Sequence, residues 1–100
     1  MAFVYVLFSP SRRRTYVGCS ENWRDRLEAH NARRVTATRS GVPWRLVHLE
    51  EVDSFLLARR REVYLKTSAG RRWLKNALGR LDETAEGSRA FDHRTPAENS

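Results

Sequence analysis

Residues 2 to 19 constrain the fold most. The stretch AFVYVLFS, Ala2 to Ser9, is rich in β-branched and aromatic residues and reads as a strand. PSRR comes next, with Pro10 and Ser11 supplying turn chemistry. RTYVGC, Arg14 to Cys19, reads as a second short strand that Gly18 stops. The two runs lie close enough in sequence to pair as a hairpin, so the chain opens with antiparallel sheet.

The chain then turns helical before it is extended again. In SENWRDRLEAHN, Ser20 or Asn22 can cap a helix, and Glu21 or Asp25 suits its first turn. Trp23, Leu27 and His30 recur at helical spacing on one face, and Asn31 is a natural stop. ARRVTATRSGVP is polar and basic and is expected to form a mobile loop. WRLVHLEEV is strand-like. Asp53 or Ser54 then caps a second helix over 54–68, which Gly70 breaks, and RRWLKNALGRL reads as a third, short amphipathic helix. The order β-β-α-β-α-α predicts an α/β (α+β) fold: a small sandwich with a three-stranded, mainly antiparallel sheet flanked by helices. Residues 1–81 form that domain. From Asp82 on, apolar residues are scarce, and 82–100 reads as a disordered acidic tail.

Charge narrows the function. The net charge of +7 divides into −3 on residues 82–100 and +10 on residues 1–81. The excess is almost all arginine, the only lysines being Lys66 and Lys75. Guanidinium groups make planar, bidentate contacts to phosphate, so the expected partner is a polyanion, above all nucleic acid. No apolar run approaches the roughly 20 residues that span a bilayer, and no membrane partner is expected. The N-terminus lacks a signal peptide's basic region and cleavage site. A lone cysteine, Cys19, cannot form an internal disulfide, and the expected compartment is the cytoplasm. There is no zinc-type Cys/His spacing and no phosphate-binding glycine-rich loop.

Five side chains stand out. On the second helix Phe55, Ala58, Glu62 and Leu65 share one face, so Glu62 points inward among apolar neighbours. A buried carboxylate needs a partner: an ion pair with one of Arg59 to Arg61, or a hard divalent cation. Arg26 and His30, four apart on the first helix, are placed to hold a phosphate together. Tyr5 and Tyr16 sit on the two hairpin strands. Beside a metal and an arginine, a tyrosine hydroxyl becomes able to take a proton from water.

Taken in order, these residues resemble the GIY-YIG nuclease family. Its two tripeptides appear as Phe3-Val4-Tyr5 and Tyr16-Val17-Gly18, its helix as RLEAHN (Arg26 to Asn31), its third strand as PWRLVHLEEV, and its metal-binding helix as ARRREVYLK. The likeness covers about residues 2–81 and is greatest to the small stand-alone bacterial members. Phe3 stands where the name-giving motif has glycine, and Val4 and Val17 replace isoleucines, but both tyrosines are kept. The resemblance implies an endonuclease that hydrolyses DNA in repair, recombination or processing. Glu62 would hold one divalent ion, Mg²⁺ or Mn²⁺, and Arg26 would stabilise the charge growing on phosphate. A motif tyrosine would deprotonate water, Tyr5 being preferred with Tyr16 and His30 in support. Arg13, Arg14, Arg33, Arg34, Arg39, Arg59 and Arg60 are candidates for DNA backbone contacts, which position without reading sequence. The module carries no added recognition domain, which leaves room for a protein partner that supplies specificity. The competing reading is a non-catalytic or partner-dependent nucleic-acid-binding module.

Overall fold

A computed structural model describes residues 1–79; the expected domain end at Leu81 and the acidic tail lie outside the described residues. β1 (Ala2–Ser9) and β2 (Arg14–Ser20) form the hairpin, followed by α1 (Trp23–Asn31), a 3-10 turn (Thr36–Gly41), β3 (Arg45–Val52), α2 (Phe55–Leu65) and α3 (Ser68–Leu78). The sheet is antiparallel throughout in the order β2-β1-β3, with β1 central and β2 an edge. This is the α+β architecture and element order expected. Among the described residues no helix is long and apolar enough to cross a membrane.

Strand alternation divides the interior in two. Val4, Val6, Phe8 and Val17 face α2 and α3, packing with Ala58, Leu65, Leu74 and Leu78. Tyr5 and Leu7 face the other way, joining Trp44 with Tyr16, Trp23 and Leu27 of β2 and α1. Period-2 alternation over a central strand buried on both faces produces this split. A half-buried polar clamp adds to it: Arg61 of α2 grips Glu50 of β3 through two hydrogen bonds of 2.8 and 3.0 Å, while its guanidinium lies 4.5 Å from the Trp73 ring of α3. His48 completes the clamp at 2.9 Å from Glu50. Burial pushes the Glu50 carboxyl up, but the bonds from His48 and Arg61 outweigh it and leave the group below the ordinary range.

The helix caps fall where the sequence puts them. Asn22 accepts from the Asp25 amide and Ser54 from the Leu57 amide. Four local expectations change. β2 does not stop at Gly18 but runs on to Ser20. Gly70 does not end α2: that helix stops at Leu65, Thr67 caps α3, and Gly70 lies inside α3. Phe55 is not part of the buried face of α2; it opens the first turn, is 46% exposed, and burial begins at Ala58. The 32–43 connection, expected to be mobile, is tied to the body by specific bonds. The Asn31 side chain accepts from the Trp44 amide at 2.6 Å and donates to the Trp44 carbonyl at 3.0 Å. The Trp44 indole donates to the Thr38 carbonyl at 2.8 Å, and the Ser9 hydroxyl to that of Gly41 at 2.6 Å. The Asn31–Trp44 and Ser9–Gly41 bonds join residues distant in sequence, which local composition cannot foresee.

An Asn31→Ala variant tests the clamp. It strands a buried amide and a carbonyl, and we expect a loss of about 2 kcal/mol in urea unfolding. An unchanged midpoint would mean the 32–43 connection is held without it.

Candidate active site

The hairpin brings the two motif tyrosines to one face. Tyr5 is 2% exposed and pairs across the ladder with Gly18. A Cβ at Gly18 would stand 2.5 Å from the Tyr5 hydroxyl oxygen and 2.6 Å from its ring carbon. The glycine is required for clearance over a buried phenol, which is why the strand continues through it.

α1 covers that face and delivers His30, which is fully buried. Its Nε2 lies 3.2 Å from the Tyr5 hydroxyl and its Nδ1 2.7 Å from the Thr38 hydroxyl. Thr38 in turn donates to the Val35 carbonyl at 3.4 Å. A hydroxyl that donates there accepts from His30 Nδ1–H, so Nε2 is the acceptor and the Tyr5 hydroxyl donates to it. The Tyr16 ring packs 4.9 Å from that of His30, centroid to centroid. Arg26, one turn earlier on α1, is exposed and acts electrostatically on both groups. Burial raises the Tyr5 hydroxyl above its ordinary pKa; hydrogen bonding and charge from Arg26 oppose the rise, and Tyr16 adds to it. Burial, and then the Arg26 charge, lowers His30 to about 4.

The His30 shift has a measurable consequence. Below the ordinary histidine value near 6.5, the unfolded chain binds a proton that the folded imidazole refuses down to about pH 4. Stability is therefore complete above pH 6.5 and declines as pH falls through that window. Between pH 7 and 5 the loss from this group is about 2 kcal/mol. Urea titrations of wild type and His30→Gln at both pH values isolate it: the difference between the two proteins should shrink by that amount at pH 5, and a constant difference would refute the assignment.

Glu62 arrives from the opposite side of the sheet. It is 5% exposed on the inward face of α2. Oε1 accepts from the Cys19 thiol at 3.1 Å and from Arg59 at 3.1 Å, and Oε2 accepts from Lys66 at 2.8 Å. Burial pushes the Glu62 carboxyl up, but the bonds from Lys66 and Cys19 and the charges of Lys66 and Arg59 bring it below the ordinary range, so it is an anion at neutral pH. Cys19 moves the other way: burial, then the bond and charge of Glu62, push its thiol up to about 11. It is a donor to Glu62 at neutral pH and not a thiolate nucleophile.

Lys66 connects the two halves. While bonded to Glu62 it lies 5.8 Å from the Tyr16 ring centroid. Tyr16 faces the α1 side and Cys19 the α2 side of β2, an edge strand. The site thus wraps around the open edge of β2. Sequence reasoning missed Lys66, Thr38 and Cys19. The signal for Lys66 was present in REVYLK, where it stands four residues after Glu62; Thr38 and Cys19 carried none.

The arginines named for DNA contact are all exposed and spread over three places: Arg13 and Arg14 at the hairpin turn, Arg33, Arg34 and Arg39 in the α1–β3 connection, and Arg59 and Arg60 on α2. Arg59 is also a partner of Glu62. No group of three or more His, Cys, Asp or Glu able to hold a metal occurs among the described residues. A single anionic carboxylate nonetheless fits a magnesium-type ion, which keeps several waters and takes its remaining ligands from substrate phosphate. Glu62 is the carboxylate that meets this description, with Arg59 or Lys66 giving way to the ion.

The fold, the tyrosine pair and the inward glutamate define a small nuclease-type domain. The family model of the GIY-YIG catalytic domain matches residues 1–76, and the chain belongs to the GIY-YIG nuclease family. No curated protein and no solved structure gives a significant match to the chain.

Proposed function

We propose that the chain is a divalent-metal-dependent endonuclease that hydrolyses DNA phosphodiester bonds in repair, recombination or processing, and that it acts in the cytoplasm. The observation that carries the proposal is the joining of Tyr16 and Glu62 by one lysine around the β2 edge, with Arg26 acting on Tyr5. Glu62 is the group that holds the ion. A bound Mg²⁺ or Mn²⁺ supplies Lewis-acid stabilisation of phosphate charge. Arg26 contributes fixed positive charge to the phosphoryl oxygens. Lys66 keeps the Glu62 carboxylate ionised and oriented before the ion enters.

Tyr16 is the better placed of the two tyrosines to meet the attacking water. Tyr5 is enclosed under Gly18, donates its own proton to His30 and has a raised pKa. Tyr16 is half-exposed at the strand edge with a positive charge over its ring. This favours Tyr16, acting as its phenolate, as the group that takes the proton from the attacking water, with Tyr5 and His30 holding the hairpin and α1 in register.

The test is cleavage of plasmid, branched and single-stranded DNA with Mg²⁺ or Mn²⁺, wild type beside Glu62→Ala. Metal-dependent cleavage by wild type, abolished in the variant, is the expected result. If both are inert on every substrate, or equally active, the proposal fails. Binding without cleavage would favour the nucleic-acid-binding module, a reading to which the three partners already held by Glu62 lend some weight.

A further inference from the structure

A groove of about 1050 Å³ runs between the open edge of β2 and helix α3, and it begins at the candidate site because Tyr16 and Lys66 line both. Its other cationic walls are Arg13 at the hairpin turn and Arg71 and Lys75, one turn apart on α3. Among the described residues, no carboxylate lines it. Between the cations the floor is apolar, with Val17, Leu74 and Leu78.

We propose that this groove holds an unpaired nucleic-acid strand and leads it past Tyr16. The inference rests on the nuclease reading and adds the substrate class. One feature points to nucleic acid and two more to a single strand over a duplex. The cations are distributed along both walls, matching a phosphodiester backbone by charge. The volume is that of a pocket for a small molecule or a few nucleotides, too small to seat a double helix. The apolar floor matters only to nucleotides whose sugars and bases are free to contact it, because a duplex buries its base faces in the stack. Lys66 and Tyr16 at the groove's end would then meet the strand where the Glu62 carboxylate stands. Arg71 and Lys75 are exposed and neither packs in the core; Arg71 also donates to the Lys66 carbonyl at 3.3 Å, an exposed bond, so changing the pair leaves the fold's interior untouched.

The experiment is fluorescence anisotropy with the full chain and no divalent metal. The probes are a labelled oligothymidylate, a blunt duplex, and a duplex with a single-stranded extension. Wild type is compared with Arg71→Glu combined with Lys75→Glu, and with Arg33→Glu combined with Arg34→Glu on the far connection. We expect the α3 pair to weaken the oligothymidylate and the extended duplex by ten-fold or more, and the blunt duplex far less. Loss of two phosphate contacts should also reduce the salt slope for the single strand by about 1.4. The Arg33/Arg34 pair should not discriminate between the probes. Arg71→Gln with Lys75→Gln, checked by thermal melting, serves if the reversed pair folds poorly, and should show a smaller loss of the same kind. Unchanged oligothymidylate affinity in either α3 pair overturns the groove assignment, even if the protein cleaves DNA. Equal loss on all three probes overturns the single-strand preference. Selective loss in a protein that never cleaves would uphold the groove and remove the nuclease reading.

Discussion

Replacing Arg26 by alanine will slow DNA cleavage by about 10²- to 10³-fold, the usual cost of removing one preorganised charge donor. The unfolding midpoint should move little, because Arg26 is exposed on α1 and outside both apolar clusters. Two readouts separate a functional role from a structural one. The first is rate at saturating metal and DNA, where the loss should persist. The second is the His30 imidazole pKa by NMR: Arg26 is one of two causes that lower it, so its removal should shift the value upward from about 4. Wild-type rates in Arg26→Ala would remove the arginine from the chemistry. A wild-type rate together with a shifted His30 would show that Arg26 faces the site without acting on substrate.

Gly70→Ala should be the most damaging single change to the fold. A Cβ at Gly70 would overlap the Tyr64 carbonyl oxygen and stand 2.5 Å from the Leu65 Cα. Both are backbone atoms of α2, which cannot rotate away as a side chain can. Alanine gains about 1 kcal/mol of helix propensity over glycine, but overpacking against backbone costs more. We expect a net loss of about 3 kcal/mol, and a melting temperature lower by roughly 10–20 °C. Equal or higher stability would mean that α3 can move off the end of α2 without loss. Gly79→Ala is the contrast: its φ is +74° but nothing among the described residues lies within 4 Å of the added carbon, and its strain is that of the backbone.

The two glycines mark where local reading of the chain stops working. At Gly18 and Gly70 the sequence offers a residue that commonly ends an element. In the structure both lie inside elements, and each is there because another group needs the room: the Tyr5 phenol in one case, the α2 backbone in the other. Glu62 shows the opposite. Its inward placement followed from helical spacing alone, and it is buried as that spacing requires. An ion pair and a divalent cation were both legible as its partner in ARRREVYLK, and the ion pair with Arg59 is present.

The sequence by itself determined the element order, the antiparallel hairpin, a choice of two residues for each of the first two helix caps, the inward face of α2 at Ala58, Glu62 and Leu65, and the family to which the chain belongs. These depend on periodicity and capping, which act over a few residues, or on short motifs at fixed spacing. Only the tertiary structure decided that Lys66 joins Glu62 to Tyr16 around the β2 edge, that Cys19 donates to Glu62, that His30 is bonded between Thr38 and Tyr5 and kept neutral by burial and the Arg26 charge, and that β2 and α3 enclose a basic groove. The Cys19–Glu62 bond alone joins residues 43 apart in the chain. The geometry of these contacts is set by how two sheet faces and three helices pack, and no local pattern in the sequence carries that information.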